Sequence, residues 1–390
     1  MELKPGYKQT EVGVIPEDWR VMPISSLCDI ISGGTPSTSF SAFWLNGDIP
    51  WCTPSDITET NGKYIYRTDR NITSLGLAKS SANLLPEGSL LLCSRATIGE
   101  VKIAKTEIAT NQGFKSLVCN YVDNEFMYYK VLTLKDKLLQ FSIGSTFLEF
   151  SKKDIEKLQI DIPQPEEQTA IATVLSDMDA LLDSLDRLIA KKRDIKQAAM
   201  QELLTGKKRL PGFDGEWEVK RLGDVLTICH GKNQRNVEVV GGAYPILATG
   251  GQIGTTNYFL YDKPSVLIGR KGTIDRPQYI ATPFWTVDTL FYSVIKDKNS
   301  AKFLYYRFNL VHWMLYNEAS GVPSLNARTI ENIEFAIPKS IEQTAIAKVL
   351  SDMDAEIEAL EERRTKTQNI KQGMMQELLT GKTRLIAQEG

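Results

Sequence analysis

Apolar residues recur every three or four positions over one long stretch of the chain, and the same pattern returns 175 residues later. In the first copy Ile171, Val174, Met178, Leu181, Leu185, Leu188, Ile195 and Ala199 make a seven-residue repeat, broken where Lys192 takes a seam position. Leu175, Leu182 and Ile189 widen that stripe. The second copy carries Ile346, Val349, Met353, Ile357, Leu360, Ile370 and Met374, with a polar middle at Arg363, Arg364 and Thr367. Between residues 163 and 210, 29 of 48 positions are identical in the second copy without a gap, which chance does not produce. Both stretches are therefore expected to be long helices. Pro165 and Ser340 stand at the entries, Ser340 with Gln343 as a capping box, and Gly206 and Gly381 are expected as left-handed caps at the exits. A helix of about 40 residues is about 60 Å long. Its apolar face needs cover, and the duplicate supplies it, so the two copies are expected to pack as a coiled coil rather than lie on unrelated cores.

The segments before each helix are mixed. In the first, apolar runs at 24–31, 89–93, 115–118 and 158–162 alternate with turn residues and are expected to be strands, while 124–141 has helical spacing. Pro211 to Gly215 is a strong breaker, after which a second mixed segment echoes the first. LLLCSRATIG at 90–99 matches SVLIGRKGTID at 265–275, and ATNQGF at 109–114 matches WTVDTLF at 285–291. GSTFLEFSKKDIEKLQIDIP at 144–163 likewise matches SGVPSLNARTIENIEFAIP at 320–338. From Trp19 to Pro163 is 144 residues, but from Trp217 to Pro338 only 121, so one framework carries different loops. The fold class expected is α+β: two mixed α/β domains joined by two long helices, with a pseudo-twofold relation between the halves.

Composition narrows the function without naming it. The 390 residues leave room for two or three domains. A net charge of −2 and a pI near 6.0 lack the overall basicity of a protein that coats nucleic acid on its own. Five scattered cysteines without a CxxC pair suit a reducing compartment and speak against zinc or a disulfide frame. The N-terminus has no signal-like apolar run and no stretch reaches membrane-spanning length, so a cytoplasmic protein without membrane contact is expected.

Catalytic patterns are nearly absent. Gly381-Lys382-Thr383 resembles the end of a phosphate loop, but Gln376 stands where that loop needs glycine. The two histidines, His230 and His312, have no metal-ligand spacing, and no Asn-Pro-Pro-aromatic or Asp-Pro-Pro-aromatic tetrad occurs. The chain is expected not to be an enzyme. Binding chemistry collects instead in the divergent loops. The first segment offers Thr53, Ser55, Arg67, Arg70, Ser94, Arg95, Thr97, Asn111 and Gln112. The second offers Lys232, Asn233, Arg235, Gln252, Asn257, Arg270, Lys271, Thr273 and Arg276. Arginine and lysine suit guanine edges, asparagine and glutamine suit adenine, and serine or threonine serve phosphate or base. Each type also serves ordinary turns; the mutually matching loops SRATIG and GRKGTID are the stronger signal.

The order divergent domain, helix, divergent domain, helix, with PEEQTAIATVLSDMDALLDSL and IKQAAMQELLTGKKRLPGF, closely resembles the specificity subunit of type I restriction-modification enzymes over essentially the whole chain. The resemblance implies two target recognition domains, 1–162 and 209–337, joined by conserved helices at 163–208 and 338–390 that form an antiparallel coiled coil. Each domain would read one half of a bipartite, asymmetric site on double-stranded DNA, and the coiled coil would set the spacer. The helices would dock two methyltransferase subunits that methylate adenine N6 with S-adenosylmethionine. Gln168, Asp177, Asp179, Gln201, Gln343, Asp352, Asp354 and Gln376 are the residues expected to face those partners. Restriction and translocase subunits using ATP and Mg would join for cleavage, and this chain would hold no cofactor or catalytic residue. The alternative is a stand-alone DNA-binding regulator or coiled-coil scaffold without a methyltransferase partner.

Overall fold

The structure is a computed structural model, and it describes residues 3, 5–142 and 148–386. It divides into two compact units: residues 1–186 with 363–390, and residues 187–362. The two long helices run Pro165–Leu203 and Ser340–Leu378. Each unit therefore holds the first part of one helix and the last part of the other.

In unit one a five-stranded sheet takes its strands in the order Cys28–Ser32, Lys115–Cys119, Leu90–Leu92, Val101–Ala104 and Tyr64–Ile65. A four-stranded sheet follows Asn71–Ile72, Ile49–Cys52, Ile108–Thr110 and Leu84–Leu85. The strand expected over 24–31 begins later, because Ile24–Ser26 turns as a 3-10 helix. The helix expected over 124–141 is two, Asn124–Leu132 and Lys135–Phe141. The Thr133 hydroxyl donates to the Lys130 carbonyl at 2.7 Å and so occupies an acceptor that a continuing helix would use. Residues 144–147 of the repeated motif at 144–163 lie outside the described residues.

Unit two repeats this plan with fewer strands. Leu226–His230, Leu290–Ile295, Ser265–Gly269 and Gln278–Ile280 form one sheet, and Gly251–Thr256, Tyr244–Ala248 and Trp285–Thr286 the other. In both units a short antiparallel pair leads into the long helix: Arg20–Pro23 with Gln159–Ile162, and Glu218–Arg221 with Glu334–Ile337.

The helix ends are plugged into the cores. Ile171, Leu175, Leu378 and Leu379 pack with Trp19, Phe126, Tyr129 and Phe150 in unit one. Met200, Leu203, Leu204, Ile346 and Leu350 pack with Phe303, Tyr306 and Trp313 in unit two. Each such side chain contributes about 1.5–3 kcal/mol by leaving water. Gly206 and Gly381 close the two helices at φ +72° and +68°, the left-handed geometry expected of them. The capping box expected at Ser340 is not made. The Gln343 amide instead donates to the Pro338 carbonyl and its oxygen accepts from the Ser300 amide, which fastens the helix start to the domain.

Within each unit the helix segments run antiparallel. In unit one Asp179 pairs with Lys371, and further along Asp186 accepts from Nε and Nη2 of Arg364 at 2.5 and 3.1 Å. In unit two Lys192 meets Glu356 at 2.6 Å and Lys196 meets Asp354. The buried seam is rotated from the expected one. Leu175, Leu182, Leu185 and Ile189 are buried, whereas Leu188 and Ile195 are 38% and 43% exposed and Ile370 is 57% exposed. Lys192 and Lys196 hold seam positions by carrying their charges to acids on the facing segment. Thr367, in the polar middle of the second helix, is buried and returns its hydroxyl to the Arg363 carbonyl.

Candidate nucleic-acid interface

The candidate loops of unit one meet at the ends of two parallel strands. Ile49–Cys52 and Ile108–Thr110 pair in parallel, so both deliver their following residues to one edge. The first leads into Thr53, whose backbone N–H and hydroxyl both reach Asp56 Oδ2, at 2.7 and 2.6 Å, as the cap of helix Pro54–Glu59. The second leads into Asn111 and Gln112. The Asn111 amide donates to the Cys52 carbonyl, and its side-chain oxygen accepts from the Gly113 amide at 2.8 Å. Gln112 accepts from the Thr35 hydroxyl. The loop after Cys28–Ser32 joins them, because the Gly34 amide donates to Thr110 and its carbonyl accepts from the Trp51 indole at 2.9 Å.

Residues 94–97 complete the cluster. The Ser94 amide donates to the Gly113 carbonyl at 2.8 Å. Ala96 adopts φ +61°, a left-handed geometry a residue with a Cβ seldom takes. The Arg95 side chain lies over Gly113, where an added Cβ would come within 3.2 Å of its Nε. Ser94 is fully buried and accepts from Lys115, which pairs with Glu149 at 3.0 Å, so Ser94 supports the loop from beneath. Thr97 Oγ1 is buried with no hydrogen-bond partner among the described residues. Ser55, Arg67 and Arg70 are exposed. Arg67 lines an open cleft of about 660 Å³ with Asp56, Glu59, Tyr66 and Asp69.

Unit two assembles the corresponding loops in the same way. Tyr244–Ala248 and Trp285–Thr286 pair in parallel. The Lys232 amide donates to the Thr286 carbonyl, and the Lys232 carbonyl accepts from the Trp285 indole at 2.9 Å. The Arg270 amide donates to the Thr289 carbonyl at 2.8 Å, matching Ser94 to Gly113. Gly272 takes the left-handed position at φ +89°. Lys232, Asn233, Arg235 and Lys271 are exposed around this edge, Thr273 is half-buried, and the Arg270 side chain reaches the Asp288 carbonyl at 3.2 Å. Gln252 stands exposed at the hairpin that leaves the same edge. Asn257 does not join them: it accepts from the Ala243 amide at the far end of strand Tyr244–Ala248. Arg276 is exposed between Ser265–Gly269 and Gln278–Ile280.

Spacing in the sequence could have found the left-handed turn, since Gly272 aligns with Ala96. It gave no sign of Thr35, Trp51 and Trp285, which hold the loops through tertiary contacts.

The helix residues expected to face partners separate by burial. Gln168 and Gln343 are buried, each accepting from the amide that begins the next domain helix: Asp123 N for one and Ser300 N for the other, both at 2.9 Å. Asp179 and Asp354 accept from the hydroxyls of Tyr129 and Tyr306 at 2.5 Å in the two units. Burial and that hydrogen bond push both tyrosine hydroxyls well above their ordinary range. Asp177, Asp352, Gln201 and Gln376 are exposed. Asp177 lines an open groove with Tyr64, Tyr66 and Tyr128. Among the described residues no group of three or more His, Cys, Asp or Glu could hold a metal ion, and no helix is long and apolar enough to cross a membrane.

Comparison with known proteins gives a consistent result. The family described as type I restriction modification DNA specificity domain matches residues 16–192 and 214–372. The chain is 31% identical over 371 residues to the type I restriction enzyme MjaIX specificity subunit of Methanocaldococcus jannaschii, covering 85% of this chain and 86% of that one. It is 24% identical to the EcoprrI specificity subunit of Escherichia coli, over 89% and 90% of the two chains. Among solved structures it resembles the S subunit of a type I system from M. genitalium. The TM-score is 0.62 with 16% identity, over 97% of this chain and 98% of that one.

Proposed function

The chain belongs to the type I restriction-modification DNA specificity family, and from that premise we propose that each unit reads one half of a bipartite, asymmetric site on double-stranded DNA. The observation that carries this reading is the pair of loop clusters. Both are built on the ends of a parallel strand pair and share the left-handed turn, yet one offers Arg95, Asn111 and Gln112 and the other Lys232, Arg235 and Lys271. Equal frames with unequal side chains suit two different half-sites, where an exact homodimer would read a palindrome.

On this reading the recognition domains are residues 1–162 and 209–337, and the helices at 163–208 and 338–390 set the spacer between half-sites. The exposed Asp177, Asp352, Gln201 and Gln376 face two methyltransferase subunits, which flip and methylate adenine N6 using S-adenosylmethionine. Translocase and nuclease subunits with ATP and Mg supply cleavage, and the whole assembly works in the cytoplasm. The present chain supplies recognition and no catalytic group.

Methylome sequencing of cells carrying this chain with its cognate methyltransferase subunits tests the proposal. The expected result is a two-part motif with a fixed gap. Inserting seven residues into each helix, one heptad that keeps the seam in register, adds about 10.5 Å. At about 3.4 Å per base pair the gap should grow by about three pairs with both half-sites unchanged. A motif whose half-sites change while the gap stays fixed would refute the spacer role. A chain that stays alone when co-expressed would favour the stand-alone regulator.

A further inference from the structure

We propose that Arg70 is a specificity-determining residue of unit one that reads a guanine through its O6 and N7 edge; this rests on the reading of unit one as a DNA-binding unit. Among the described arginines of the candidate loops, Arg70 is set apart by its surroundings. Its guanidinium lies 3.8 Å from the ring centroid of Trp44 and 5.3 Å from that of Trp51. The two indoles are themselves fixed. They meet edge to face at 5.0 Å, and their N–H groups donate to Ser37 O at 3.0 Å and Gly34 O at 2.9 Å. The Arg70 carbonyl accepts from the Trp51 amide, so backbone and side chain are tied to the same tryptophan.

Stacking holds the guanidinium plane but uses none of its N–H donors. Among the described residues none of those donors has a protein acceptor, and the residue is exposed. A planar fork held in place with its edge free fits an acceptor pair in one plane. Duplex DNA offers that pair as guanine O6 and N7 or as two phosphate oxygens. The neighbours favour the base. Phe40 and Leu45, on the loop that carries Trp44, are 60% and 69% exposed and suit the groove floor and thymine methyl groups rather than a phosphate. Trp51 also leads straight into Cys52 and Thr53, so the stack borders the cluster of reading loops. By contrast Arg270 in unit two already spends a donor on the Asp288 carbonyl.

The test compares wild type, Arg70→Ala and Arg70→Lys in the full chain with its methyltransferase partner, by methylome sequencing and by binding to duplexes of the resulting motif. Arg70→Ala should relax one guanine position in one half-site to any base, a loss of at least tenfold in discrimination, and leave the other half-site intact. Arg70→Lys keeps the charge without the fork and should relax the same position. Replacing that guanine by 7-deazaguanine should weaken the wild type at least threefold and leave Arg70→Ala unaffected, a readout that a purely structural arginine would not move. An unchanged motif with uniformly weaker methylation would assign Arg70 to phosphate or to packing and overturn the inference while sparing the wider reading. A wild type that selects no motif would overturn both.

Discussion

Beside Leu379 in unit one, the buried Lys130 ammonium donates to that carbonyl at 2.7 Å and to Asp161 at 2.8 Å. At the corresponding place in unit two, Arg307 donates to the Leu204 carbonyl at 2.7 Å and has no carboxylate beside it among the described residues. Its Nε is buried without a partner among the described residues. The same contrast appears at the clasp that closes each helix. Arg384 grips both Glu167 and Asp18, and the Trp19 indole adds a 3.0 Å bond to Glu167. Arg209 grips Glu342 in bidentate fashion, while the Trp217 indole N–H has no hydrogen-bond partner among the described residues. The duplicated helices kept their contacts with carbonyls and acids, and the domains around them changed the partners. Unit one answers each buried charge more completely, so removing one of its members strands another.

The largest expected effect follows from the lysine. Burial pulls the Lys130 ammonium below its ordinary pKa, with Asp161 opposing the shift, and the pair is dry enough that deleting one partner leaves a buried charge. Lys130→Met should destabilise the chain by about 3 kcal/mol, and adding Asp161→Asn should recover most of that. Arg307→Met strands no acid and leaves only the buried Leu204 carbonyl without its donor, so it should cost less, about 1–2 kcal/mol. Equal losses in denaturant titrations of the two variants would erase the contrast.

A smaller difference is expected at the tryptophans. Trp19→Phe removes a hydrogen bond to a buried carboxylate and should cost about 2 kcal/mol beyond the lost ring area. Trp217→Phe removes an N–H that has no partner among the described residues, so only the ring area is lost. Thermal unfolding of the two variants should place Trp19→Phe clearly lower.

The smallest pair sharpens the likeness rather than the difference. Gly272→Ala forces a Cβ into the left-handed turn of unit two, with nothing nearer than Thr249 at 4.0 Å to clash, so strain alone should cost about 1 kcal/mol. Ala96→Gly relieves that strain in unit one but loosens the unfolded chain, so a net change below about 0.5 kcal/mol is expected. A large gain from Ala96→Gly would mean that the two turns are not equivalent.

The sequence by itself determined the duplication, the two long helices, their glycine stops and the mixed domains before each, because period and spacing are properties of the chain in one dimension. It also matched the segment 90–99 with 265–275, and within both the structure makes a left-handed turn, at Ala96 and at Gly272. Tertiary structure alone decided which face of each helix is buried. Lys192 and Lys196 can sit in the seam only because Glu356 and Asp354 stand opposite, and no local pattern encodes a partner some 160 residues away. It likewise turned Gln168 and Gln343 inward onto backbone amides, and brought Thr35, Gln112 and the cluster of Trp44, Arg70 and Trp51 to one edge through parallel strand pairing. Side-chain type tells what a residue can bind; only the packed neighbours determine whether its donors and acceptors are already taken.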